Sequence, residues 1–310
     1  MKVFRGFAIV SVALTLALAI LGSWVRINNA GMTCPDWPLC NGAVVPSMAN
    51  GVVFEWSHRL LAFVLSFVLA GLAWSAWRVR DRIAGIRPAL GALGAIFAVQ
   101  VLLGAATVHL SNSPVSVVLH WATAMLLLAT LAAIAVLATL RPEPGRASAF
   151  GDGPGPALAV ATGLALVAMC AGAYVSSSYA GLACTTFPTC DGTLLGHGDG
   201  GQLAQMLHRF AAGAFALAAT IATIVASQIG SARVRAFALA GFALLGIQIA
   251  LGAANVLGGL PMLLREAHAA NAGLTFVAYA IATICAAAAP LRAPTPASDR
   301  APAARRATAR

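Results

Sequence analysis

Six histidines stand in the chain: His58, His109, His120, His197, His208 and His268. Four of them recur at a nearly constant distance. His208 follows His58 by 150 residues, and His268 follows His120 by 148. Each of the four lies in a long apolar stretch. An ionisable group inside a bilayer is costly, so its presence there points to function by default. Two neutral imidazoles facing each other across the interior of a helical bundle suit a haem iron held from both sides. Copper or zinc fits less well, because no third or fourth ligand accompanies either pair. Histidines that only hydrogen-bond a neighbouring helix are the plainer reading, and the duplication of the pair counts against it. His109, whose counterpart is Leu257, reads as an interface residue rather than a proton relay; His197, among Gly and Asp, reads as solvated.

The residues around the histidines differ between the two copies. The first has Glu55-Trp56-Ser57-His58 where the second has Gln205-Met206-Leu207-His208. Glu55 is three residues before His58, so the two share a helical face. A carboxylate beside a haem can move protons or stabilise developing positive charge, which Gln205 cannot do in the same way. The competing role is structural, a helix-start charge or a pair with Arg59. Catalysis by Glu55 is favoured, which makes the first copy the reacting one. Arg59 and Arg209 directly follow the first histidine of each pair. Each could bind a haem propionate by charge-assisted bonds or simply snorkel to the interface. Arg26 is a further propionate candidate; its counterpart is Ser176.

Cys34 and Cys40 share one polar loop, and Cys184 and Cys190 share the equivalent second loop. In an oxidising compartment both pairs can form disulfides. A structural staple is favoured over a redox-active pair, and zinc is disfavoured for want of a histidine pair in the loops. Cys170 and Cys285 fall inside apolar runs and read as inert packing residues.

The elements that carry these groups follow from composition. The chain has 310 residues, 60% hydrophobic and only 9% charged. A soluble domain carries about 25% charged residues, and runs of about 20 apolar residues can cross a bilayer. Eight such runs are expected near 7–25, 52–77, 90–110, 116–139, 157–178, 204–228, 235–257 and 264–289, as helices that satisfy their own backbone in lipid. The fold class is therefore all-α, polytopic in the membrane. Fifteen of the 19 basic residues fall on the side of the termini; only Arg26, Arg59, Arg209 and Arg265 fall on the other. The positive-inside rule then puts both termini in the cytoplasm. Lys2 and Arg5 before an apolar run resemble a signal peptide, but the repeat needs that helix, so no cleavage is expected. The net charge of +10 follows this topology, and no nucleic-acid role is expected.

GMTCPDWPLCNG at 31–42 matches GLACTTFPTCDG at 181–192, and QVLLGAATV at 100–108 matches QIALGAANV at 248–256. Four helices return the chain to its starting side, so the two units are a parallel repeat. The expected organisation is two pseudo-symmetric four-helix bundles. These are a first unit at 1–140, a cytoplasmic linker at 141–156, a second unit at 157–290 and a disordered basic tail at 291–310 near anionic lipid.

At GMTCPDWPLCNG, the Glu55-x-x-His58-Arg59 motif and the duplicated histidines, the chain resembles the haem A synthase family from Trp24 to the eighth helix. That resemblance implies oxidation of a ring methyl of haem O to a formyl group, by two oxygen-dependent hydroxylations and loss of water. It implies haem b on His208 and His268, substrate haem facing His58 and His120, and Glu55 as essential. Cys34 and Cys40 match the family's disulfide pair; the role of Cys184 and Cys190 is less defined. A bacterial cell-membrane location follows. Two histidines on each iron leave no open position for O2. Either one lets go, or the substrate iron has one ligand, or oxidation occurs at the ring edge. No iron–sulfur or nucleotide motif is visible, so electrons must come from a quinol or a separate redox protein. The haem O synthase is a plausible partner, and a homo-oligomer is left open. Two other classes compete: a dihaem b-type electron carrier linked to quinol, which leaves Glu55 unexplained, and a parallel-repeat transporter, which would show broken helices.

Overall fold

The computed structural model describes residues 1–139 and 153–288. Within them lie eight helices: α1 (Lys2–Ile27), α2 (Val52–Trp77), α3 (Ile86–His109), α4 (Pro114–Thr139), α5 (Gly155–Ser177), α6 (Gly200–Ile229), α7 (Ala232–Leu257) and α8 (Met262–Ala287). No β-strand occurs among the described residues. All eight helices are long and apolar enough to cross a membrane. The expected tail and most of the expected linker lie outside the described residues.

Seven of the eight helices start earlier than their apolar runs; α2 starts at Val52, as expected. Helix α6 begins at Gly200 because Asp199 caps it, accepting from the Gly201 and Gln202 amides. Ser231 caps α7 through the Val234 amide. Such caps satisfy amide groups that a helix start leaves unpaired, so they, and not hydropathy, set the boundary. The end carrying the N-terminus holds exposed basic loops: Arg78 and Arg80 lie over Trp74 and Trp77, each 4.5 Å from the ring centroid. Tryptophan and arginine together suit a membrane–water interface.

In the first half α1 packs on α2 and α4, and α3 on α4. In the second, α5 packs on α6 and α8, and α7 on α8. Helices α1, α4, α5 and α8 meet between the two sets. The halves differ in one seam: α6 and α7 pack directly, whereas α2 and α3 hardly touch. Side-chain size on the facing helices contributes: α6 brings Ala219, Ala222 and Ala226 and α7 brings Ala238 to the second core, beside Phe215 and Leu245, whereas α2 and α3 bring Leu65, Leu69, Leu72 and Leu93 to the first. Alanines let backbones approach, and leucines hold them apart. A two-residue link, Gly230–Ser231, also draws α6 and α7 together.

Candidate functional site

At the opposite end from the N-terminus, two long loops fold back over the helices. Each is closed by a disulfide, Cys34–Cys40 and Cys184–Cys190, with Cα–Cα distances of 4.5 and 4.7 Å. In each, a small bridge follows at once, Cys40 to Ala43 and Cys190 to Thr193. Cys170 and Cys285 are free. The first loop is tied to the neighbouring turn, where Asn112 donates to the Gly31 carbonyl at 2.7 Å.

The four repeated histidines lie just beneath these loops. In each half, one histidine comes from the second helix and one from the fourth. Each is set against a glycine of a neighbouring helix. A Cβ built on Gly22 would stand 2.9 Å from the His58 ring, and one on Gly172 would stand 2.9 Å from His208. At Gly104 against His120, and at Gly252 against His268, the same distance is 3.2 Å. Real Cβ atoms hardly ever come within 3.0 Å of another group, so any larger residue at Gly22 or Gly172 would push the ring from its position. These four glycines escaped the sequence reading. Their spacing repeats, but glycine is common in membrane helices, so nothing in the sequence alone ties it to a ring.

Each ring is half-buried. The Nδ1 atoms of His58, His120 and His268 are buried without a hydrogen-bond partner, while His208 Nδ1 lies 2.9 Å from the Ala168 carbonyl. The Nε2 atoms of His120 and His268 face the amides of Gln100 and Gln248 at 3.4 and 3.1 Å. Gln248 is itself held by Asn271 at 2.8 Å. Among the described residues no cluster of three His, Cys, Asp or Glu could hold a bare metal ion. A porphyrin supplies four nitrogens of its own and asks the protein only for axial ligands, so two histidines per half fit it. The Ala168 contact is the kind of second bond that orients a ligating imidazole.

Glu55 is buried, and both of its oxygens are engaged. Oε1 accepts from Arg59 at 2.6 Å; Oε2 accepts from the Cys34 amide at 2.9 Å and the Thr33 hydroxyl at 3.1 Å. Gln205 does the same task in the second half, accepting from the Cys184 amide at 2.6 Å and donating to the Gly181 carbonyl. Both residues therefore anchor a disulfide loop; what differs is the charge.

The arginines expected near a haem edge have other work as well. Arg59 donates to the carbonyls of Cys34, Asp36 and Leu39. Arg209 donates to Pro188 and Thr189, and its Nη2 is buried with no partner. Arg26 crosses to the second half, where it bonds the Ser176 and Ser177 carbonyls and stacks 4.6 Å over Tyr179. His109 and His197 are exposed and belong to neither histidine pair. Glu266, two residues before His268 on α8, has both oxygens buried without a hydrogen-bond partner, on the side facing Ser23.

Eight membrane-length helices with two repeat-related histidine pairs define a multi-pass membrane protein whose sites suit porphyrin-bound iron. Residues 5–53 and 49–280 match the model of the cytochrome oxidase assembly protein family, COX15-CtaA. The chain is 32% identical to the haem A synthase of Halalkalibacterium halodurans, over 68% of this chain and 71% of that protein. It is 29% identical to that of Symbiobacterium thermophilum, over 86% and 90%. With that of Shewanella oneidensis it shares 25% identity over 89% and 93%. The chain belongs to the haem A synthase family and is a haem-directed oxidoreductase of haem A biosynthesis.

Proposed function

We propose that this protein oxidises the ring methyl of haem O to a formyl group in two O2-dependent hydroxylations, the second followed by loss of water. The observation that carries the reading is the pairing of duplicated histidine sites with a buried carboxylate, Glu55, at the repeat position where the other half has Gln205. Each hydroxylation takes one O2, two electrons and two protons, and releases one water. The electrons come from a quinol or a redox protein. The resident haem b, on His208 and His268, supplies one-electron chemistry when bound. His58 and His120 present the substrate haem, and Glu55, on the same helical face as His58, provides the charge nearest the reacting ring. The disulfide loops exclude water from that end. The protein sits in the bacterial cell membrane with both termini cytoplasmic. Haem O synthase is a natural partner, because free haem O is poorly soluble in water.

Expression in a bacterium with and without a haem O source, followed by chromatography and mass analysis of extracted haems, tests this. Haem A or hydroxylated haem O in the purified protein is the expected result. Haem B alone, with haem O and oxygen supplied, would instead make the protein a dihaem electron carrier.

A further inference from the structure

The two halves present different charge beneath their loops. In the first, Arg59 has Glu55 and three carbonyls as partners, so its charge is matched. In the second, Gln205 replaces Glu55 and does not reach Arg209; the loop carboxylate Asp191 acts on Arg209 only through space, with no ion pair, and Arg209 Nη2 stays buried and unbonded. Arg265 adds to this. It is half-buried on α8, three residues before His268, and among the described residues its side chain makes no hydrogen bond or ion pair. Residues three apart on a helix share a face, so Arg265 stands one turn nearer the loops than the His268 imidazole. It lies within electrostatic reach of Arg26, a second cation, and of Tyr179. Arg26 in turn keeps a buried, unbonded Nε. The counterpart of Arg265 in the first half is Val117. Glu266 is the acidic residue nearest in sequence, but it points to α1, about 100° around the helix from Arg265.

Unpaired guanidinium groups at the edge of a membrane site call for an anion. A haem axially held by His208 and His268 offers two carboxylates at its edge. We infer that Arg265, with Arg209 Nη2, is the propionate anchor that keeps haem resident in the second half. The first half lacks this anchor because Val117 stands in its place and Glu55 occupies Arg59. The inference rests on the haem A synthase reading for the assignment of the halves. Its consequence is a sorting rule: the half with surplus cations retains its haem, and the charge-matched half lets haem come and go. Retention suits a cofactor, and exchange suits a substrate that must leave as product. Arg265 is a positioning residue here, not a catalytic one.

The test uses the full-length protein in detergent and in nanodiscs, with transfer of haem B to excess apomyoglobin as readout. Arg265→Gln should release haem B about tenfold faster, the size expected for one charge-assisted bond. Arg265→Lys should restore much of the retention. Loss of a nearby positive charge favours ferric iron, so the haem B midpoint potential should fall in Arg265→Gln and hold in Arg265→Lys. Unchanged release and potential in Arg265→Gln would overturn the anchor. So would unchanged release together with loss of co-purifying anionic lipid, since the anion would then be a headgroup phosphate. Should Arg265→Gln fail to insert, Val117→Arg carries the test, and slower exchange of added haem O is expected. Exchange at the wild-type rate in Val117→Arg would overturn the sorting rule. Failure to form haem A in the wild type strikes the functional reading instead and leaves the haem B comparison standing.

Discussion

Glu55 and Gln205 are chemically alike in shape and sit at the same point of the repeat. Each receives the amide of the first loop cysteine, Cys34 or Cys184. Glu55→Gln therefore keeps an acceptor for the Cys34 amide and removes the charge, with it the ion pair to Arg59, a control that Glu55→Ala does not offer. We expect this variant to retain haem B and to lose at least about a hundredfold in turnover, the lower end for a proton-handling group. Extracted haems measure both. Full turnover would reduce Glu55 to a loop anchor. Asp36, in the same loop, is held below the usual carboxylate range, chiefly by the Gly42 amide and further by the Asn41 amide and the Arg59 charge. A carboxylate lowered on folding stabilises above its unfolded value of about 3.9 and loses this as pH falls through the folded value. The hydrogen-exchange protection factors of the Asn41 and Gly42 amides, corrected for the intrinsic pH dependence of exchange, should thus be steady from about pH 5 to 8 and fall below about pH 4.

Helices hold the histidines by close approach to glycine, and this makes a sharp prediction. In Gly172→Ala, the new methyl would stand 2.9 Å from the His208 ring and must displace it. Haem B content should drop to a small fraction of wild type while the protein still inserts. Gly22→Ala should leave haem B in place and weaken uptake of added haem O, read by absorbance titration. Equal loss of haem B in both variants would mean that the glycines only set helix spacing. The helices, the repeat and the four histidines were legible because hydropathy and offset survive in a linear string. The glycine seats were not, nor the Gln100 and Gln248 contacts. Which neighbour a side chain meets depends on helix rotation, which an almost uniformly apolar run does not encode. The same limit hid the loop and cross-half partners of Arg59 and Arg26. Their spacing suggested a haem edge, whereas backbone carbonyls of a loop and of the other half take up most of their donors.

Taken whole, the molecule is one four-helix pattern used twice, and on the proposed reading the two copies do different chemistry. The halves share disulfide loops, histidine pairs and glycine seats, and differ in a carboxylate, in surplus cations and in core side-chain size. That division can be tested by removing one ligand at a time. On the proposed assignment of the resident haem to the second half, His208→Ala or His268→Ala should remove haem B and with it all product. His58→Ala or His120→Ala should keep haem B, with its reduced-minus-oxidised spectrum, and lose only haem A and hydroxylated haem O. The spectrum reports on the second half whatever happens in the first, so the two arms are independent. If haem B follows His58 and His120 instead, the assignment of the halves inverts, and Glu55 becomes a neighbour of the cofactor, not of the substrate. Partial loss of haem B in all four variants would point to one shared haem exchanging between sites, and the proposed sorting by charge would have to be abandoned.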